Sequence, residues 1–306
     1  MTVCIAAVCN IGPDQVPIVI CASDRMITIN DLEYEPDQSK VVYMASQTVG
    51  LFAGDMQLHA AVVPRVMARI KTTVAEKNNI LVEEIAEMYA EEFDIYRRHR
   101  AEKQFLVPLN LNVDNFLTKR NDMLQDLAFD LTNKMLNAGI GSDAIIAGID
   151  QTGGHIFRIH DPGIATCLDT AFFGAIRIGE PHASSQFMLA KFEKRWPVEK
   201  TLFLTYSAKT LAEAAAGVGK QTDMVVIRPG SPIYALTAED LATLDKLIKA
   251  TAAKDEEARQ EAYGVIREYV EESRKKEEDS KANEQNATDQ TPQKELAAPE
   301  QSPEQN

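Results

Sequence analysis

The spacing of apolar positions changes several times along the chain. Residues 2–9 and 17–23 are short apolar runs of β-rich composition, separated by "NIGPDQV", whose Gly-Pro-Asp reads as a hairpin loop. "KVVYMA" (40–45) and "TVGLFAG" (48–54) follow, with "SQ" as a tight connection. Four strands joined by local turns in the first 54 residues predict an antiparallel sheet. From Asp55 the period becomes helical: two long stretches carry apolar residues three and four apart, as at Val82, Ile85, Met88, Tyr89, Phe93 and Tyr96. Pro64 marks a kink in the first. "FLVPLNLNVDN" interrupts the pattern, and residues 116–137 then read as a third helix.

Strands are expected again at 143–150, 155–161, 164–169 and 171–175, with "QTGG" as one hairpin turn. Helical patterns over about 180–196 and 200–219 precede strands at 223–230 and 232–237. Thr237 with Asp240 three positions later is a capping signature, and the helix it opens is expected to run to about Lys276. Beyond Asp279 large apolar side chains almost vanish and two lysines face six acidic residues, which predicts a disordered acidic tail. The order of elements fits an α+β fold: two antiparallel sheets packed face to face between helical layers, a four-layer αββα sandwich. A doubly wound sheet would need strands alternating singly with helices. The expected organisation is a domain over 1–236, a C-terminal helical extension over 237–278 and the tail over 279–306.

Composition narrows the partners. With 46 acidic against 32 basic residues the net charge is −14, which disfavours nucleic acid or an anionic membrane surface. No apolar run approaches a membrane span, and the start lacks the basic region of a secretory signal, so a cytoplasmic location is expected. Cys4, Cys9, Cys21 and Cys167 have no paired spacing and read as free thiols, three of them in strand-like stretches. The five histidines form no ligand pattern, so neither a metal nor a cofactor is expected.

Candidate chemistry lies in the first 56 residues. Thr2 heads the first apolar run; "ASDRMIT" carries Asp24 and Thr28; Lys40 opens the third run in "QSKVVYM"; Ala53 and Gly54 end the fourth in "LFAGD". This ordered set resembles the proteasome β-subunit family and the simpler bacterial ring peptidases of the same N-terminal-nucleophile (Ntn) class. The intervals from Asp24 to Lys40 and from Lys40 to Gly54 equal those of the family, and "AIIAGIDQTGGHIFRIHDPG" looks like its central hairpin. The likeness covers roughly residues 2–230.

The resemblance implies a threonine peptidase or amidase with Thr2 as nucleophile after removal of Met1. A threonine hydroxyl is a weak nucleophile without a base, and an N-terminal residue carries its own, an α-amine with an ordinary pKa of about 7.7–8.0. Lys40, paired with Asp24, would lower the pKa values of that amine and hydroxyl and favour developing negative charge. Gly54 matches the position whose backbone N–H faces the tetrahedral intermediate. Thr28 matches one whose backbone pairs with an extended substrate, while Ile27, Phe52 and Met56 surround the pocket before the scissile bond. Phe52 as the floor implies small or medium neutral side chains there.

The chain departs from the family in a longer first hairpin and in Met26 where many relatives carry arginine. It also has no clear equivalent of the supporting serine in "FFGAIRIGEPHASS", nor of the supporting Asp-x-x-Ser in "GVGKQTDMVV", where Thr222 and Asp223 offer similar groups. The implied partners are a peptide or unfolded protein substrate, further copies of the chain in a ring or stacked rings, and an ATP-dependent unfoldase. Two rival functions are a catalytically inactive proteasome-like scaffold and an Ntn amidase acting on a small non-peptide amide. Apolar positions Leu241, Leu244, Ile248, Tyr263, Ile266 and Val270 suit either a neighbouring subunit or the chain's own domain.

Overall fold

A computed structural model describes residues 2–13, 15–29 and 32–289. It is a mixed α+β protein with several antiparallel sheets. Strands β1 (Cys4–Ile11) and β2 (Val16–Asp24) form the first hairpin, in a register that sets Cys4 opposite Ser23. A short pair, β3 (Ile27–Ile29) and β4 (Leu32–Tyr34), follows where no strands are expected. Next come β5 (Val41–Ala45) and β6 (Thr48–Ala53), then helices α1 (Met56–Lys77) and α2 (Val82–Phe105). Asp55 caps α1 by accepting from the Gln57 N–H at 2.8 Å, and the helix continues through Pro64 as one element.

The expected single helix over 116–137 is two: α3 (Val113–Lys119) and α4 (Gln125–Leu136), separated by a 3₁₀ turn at Arg120–Asp122. The break falls on Lys119–Asp122, four consecutive polar residues that leave a full turn without an apolar anchor. Strands β7 (Asp143–Asp150), β8 (Gly153–His160), β9 (Ile164–Cys167) and β10 (Phe173–Ile176) succeed it. Helices α5 (Glu180–Leu189) and α6 (Val198–Ala212) end earlier than their apolar patterns suggest. They are followed by β11 (Thr222–Ile227), β12 (Tyr234–Ala235) and α7 (Ala238–Asp289).

The four early strands do not form one sheet. One five-stranded sheet has the order β10-β1-β2-β11-β12 and the other β5-β6-β7-β8-β9. Alternation along the strands explains the partition, since both faces are apolar and each must be covered. Cys4, Ala6 and Val8 of β1 join Val49, Leu51 and Ala53 of β6 and Ile145 and Ala147 of β7 in a cluster shared by the two sheets. On the alternate face of β1, Val3, Ile5 and Ala7 pack with Phe187 of α5 and Leu204 and Ala208 of α6. Phe52 of β6 and Ala144 and Ile146 of β7 pack with Leu58, Val62, Tyr89 and Phe93 of α1 and α2.

The chain divides into two compact units, Met1–Asp245 and Lys246–Asn306. The first holds all the described strands. Here Thr237 and Asp240 form the expected reciprocal cap, Asp240 N–H to Thr237 Oγ1 at 3.2 Å and Thr237 N–H to Asp240 Oδ2 at 2.8 Å. In the second, α7 runs to Asp289, beyond the expected end near Lys276 and past Asp279, the expected start of the tail; the remainder of the tail, 290–306, lies outside the described residues. From Lys246 to Asp279 every side chain is exposed or half-buried. Among the described residues no helix is long and apolar enough to cross a membrane.

Candidate active site

The first hairpin brings Thr2 beside Asp24. Thr2 and Val3 lead into β1, opposite the end of β2, and the Asp24 N–H donates to the Val3 carbonyl at 3.2 Å. Asp24 is fully buried, so its carboxylate needs donors on every lone pair it exposes to the interior. It has them. Oδ1 accepts from the Thr2 hydroxyl, from the Val3 N–H at 3.0 Å and from Lys40 Nζ at 3.2 Å. Oδ2 accepts from the Met26 N–H at 3.1 Å and the Gly219 N–H at 2.9 Å.

Lys40 reaches the same point from the other sheet, immediately before β5. Its ammonium donates to Thr2 Oγ1 at 2.6 Å, to Asp24 Oδ1 and to the Met26 carbonyl. The three protons of the ammonium are thereby all used, which offsets the cost of holding a charge at 6% exposure. The Thr2 oxygen thus lies between a cation that donates to it and a carboxylate that accepts its proton.

A cavity of about 520 Å³ opens onto this group. Thr2, Lys40, Ile27, Thr28, Phe52, Gly54 and Met56 line it, so seven of the eight candidate residues share one cleft, with Asp24 buried behind Thr2 and Lys40. Gly54 follows β6 directly with φ +107°, a conformation that a residue with a Cβ adopts only at a cost. A Cβ there would also approach the Gly141 carbonyl oxygen to 2.5 Å. Met1 and its expected removal lie outside the described residues.

Several residues of this region carry no signal in the sequence. Arg100, far along α2, reaches the cleft and pairs with Asp55. Burial works against the Asp55 charge, but the Arg100 hydrogen bond and the first amides of α1 outweigh it and hold the carboxyl below its ordinary range. Lys209 of α6 is fully buried, and donates to Glu213 at 2.6 Å and to the carbonyls of Gly219 and Lys220 at 2.8 and 2.9 Å. It therefore fixes the turn whose Gly219 N–H supports Asp24; burial pushes its own pKa down. In sequence the Lys209–Glu213 pair reads as an ordinary exposed helix pair.

Where the sequence offers Thr222 and Asp223 as supporting groups, neither carries out that role. Asp223 is held by Arg25 at 2.6 Å, and the Thr222 hydroxyl turns to the Lys220 carbonyl. In "FFGAIRIGEPHASS", which lacks the supporting serine, Gly179 meets Thr2 instead, its N–H 3.5 Å from the Thr2 carbonyl oxygen. Of the cysteines, Cys4, Cys9 and Cys21 are buried free thiols, whereas Cys167 is exposed. No protein-family model matches the chain, and no curated protein matches it.

Proposed function

We propose that the protein is an N-terminal threonine hydrolase of the proteasome-like Ntn type, cleaving peptide bonds through an acyl-enzyme on Thr2. The observation that carries this reading is the 2.6 Å contact of Lys40 Nζ with Thr2 Oγ1, with Asp24 on the same oxygen, at the wall of a cleft that Gly54 also lines. The three apolar clusters, one between the sheets and one between each sheet and a helix pair, are those that a four-layer αββα arrangement buries.

In the proposed reaction, loss of Met1 leaves the Thr2 α-amine free to take the hydroxyl proton as Oγ1 attacks the substrate carbonyl. The Lys40 ammonium stabilises the negative charge that develops on Oγ1, and Asp24 keeps that ammonium in place. The Gly54 N–H donates to the oxyanion. Collapse breaks the C–N bond, the leaving amine takes the proton from the α-amine, and water then attacks the ester to regenerate Thr2. Phe52 fills the cleft floor, so small or medium neutral side chains before the scissile bond are cleaved fastest; faster cleavage after Arg or Lys in a fluorogenic peptide panel would overturn that preference. A self-assembled ring, with or without an ATP-driven unfoldase, is the form in which such a site acts on unfolded protein.

Intact-mass measurement and labelling with an epoxyketone test the reading together. The expected result is a chain without Met1 and an adduct mapped to Thr2, both adduct and turnover being lost in Thr2→Ala. Retention of Met1 would block the amine and favour the non-catalytic scaffold. One observation speaks for that rival: near Asp24 the segment 217–223 supplies a backbone N–H at Gly219 where the family has hydroxyl and carboxyl groups.

A further inference from the structure

His59 sits in the first turns of α1 at 3% exposure, among Leu58, Phe52 and Tyr89, and is not part of the cleft. A polar ring in an apolar cluster is stable there only if both nitrogens are satisfied, and both are. Nε2 lies 3.1 Å from the Ala53 carbonyl oxygen and Nδ1 lies 2.6 Å from the Tyr89 hydroxyl. A carbonyl only accepts, so Nε2 carries the proton. Nδ1 therefore accepts, and Tyr89 donates to it. Burial pushes the Tyr89 phenol well above its ordinary range, so that donor is always present. The ring faces Phe52 with centroids 5.0 Å apart, and Phe52 stacks in turn on Tyr89 at 5.2 Å.

The carbonyl that His59 holds belongs to the same peptide unit as the Gly54 N–H. Among the described residues the only cis peptide is Asp161–Pro162, so the Ala53–Gly54 unit is trans and planar, and its C=O and N–H point in opposite directions. Anchoring the oxygen toward α1 directs the N–H away from it. Such an anchor matters here because Gly54, lacking a Cβ, lets this peptide plane rotate at little cost. On the far side of Gly54 the backbone is pinned again, by the Ser142 hydroxyl accepting from the Asp55 N–H at 2.8 Å.

We propose that His59 is a positioning residue that fixes the Ala53–Gly54 peptide so that the Gly54 N–H is preorganised for the oxyanion of the substrate. The inference rests on the threonine-hydrolase reading above. His59 touches neither Thr2 nor the reacting carbonyl; it acts through one peptide plane, and Tyr89 acts through His59.

The test compares wild type, His59→Leu and His59→Gln, each checked for cooperative thermal unfolding, on a fluorogenic peptide with a neutral residue before the scissile bond. Gln reaches as far as Nε2 and supplies an N–H; Leu supplies none. Expected for His59→Leu is a fall in kcat of about 10²-fold, the scale for losing one oxyanion donor, with KM little changed. His59→Gln should recover most of that loss. Folded His59→Leu with wild-type kcat, or folded His59→Gln as impaired as His59→Leu, would overturn the positioning role while leaving the hydrolase reading intact. Absence of turnover and of any Thr2 adduct in the wild type would overturn both.

Discussion

Each proton of the Lys40 ammonium has an acceptor in Thr2, Asp24 or Met26, and each oxygen of Asp24 has at least two donors. A buried pair so arranged punishes removal of one partner more than it rewards the presence of both. Lys40→Met therefore leaves the Asp24 charge buried without its cation and is expected to cost roughly 3–5 kcal/mol in urea unfolding. Asp24→Asn added to Lys40→Met should recover part of it, and strict additivity in that double-mutant cycle would refute the coupling. His59 makes a second prediction. Burial chiefly lowers its pKa from 6.5 to about 4, with the Ala53 carbonyl and Asp55 pulling upward against it. Between those values the unfolded chain binds a proton that the folded chain does not. Stability should thus decline by on the order of 3 kcal/mol as pH falls from about 6.5 to about 4, and this loss should level off below. In His59→Gln that portion of the pH dependence should be missing; an unchanged profile would show that His59 is not its source.

At the scale of elements, the two junctions beside the cleft carry the constraint. The β6–α1 junction turns through Gly54, where φ +107° and a 2.5 Å approach to the Gly141 carbonyl leave no room for a Cβ. Gly54→Ala is expected to destabilise the fold by about 2–3 kcal/mol, read from the shift in thermal midpoint. A midpoint equal to wild type would mean that the junction yields more easily than its geometry implies. The turn between α6 and β11 is held from beneath by Lys209, which binds two of its carbonyls. Lys209→Met should raise hydrogen exchange at the Gly219 amide selectively, leaving β1 and β2 protected. Helix α1, the hairpins β1–β2 and β7–β8 and the Thr237 cap were legible because each is written in a contiguous stretch. The division of residues 116–137 was not, since two apolar halves in phase hide a polar turn between them.

For the whole molecule, the two compact units differ in what they bury. Every described strand lies in Met1–Asp245, and from Lys246 to Asp279 no side chain is buried, with Tyr263, Ile266 and Val270 exposed. A chain ending at Asp245 should therefore unfold cooperatively with a midpoint within about 5 °C of the full chain. Light scattering on both forms then tests whether the exposed apolar residues of α7 serve assembly: a smaller particle after truncation supports it, and equal size refutes it. Most of the strand and helix order, the alternation that makes both faces of the central strands apolar, and the intervals among Thr2, Asp24, Lys40 and Gly54 are legible in the chain alone, because periodicity and spacing are properties of a linear sequence; the pair β3–β4 and the division of 116–137 are not. The folded molecule alone shows that β1 and β2 part from β5 and β6 into different sheets, that Arg100 reaches the cleft while Lys209 and Gly219 support Asp24, and that His59 holds the peptide next to Gly54. Those choices depend on which surfaces exclude water from one another and which buried polar groups then find partners, and neither leaves a mark in the local pattern of apolar and polar positions.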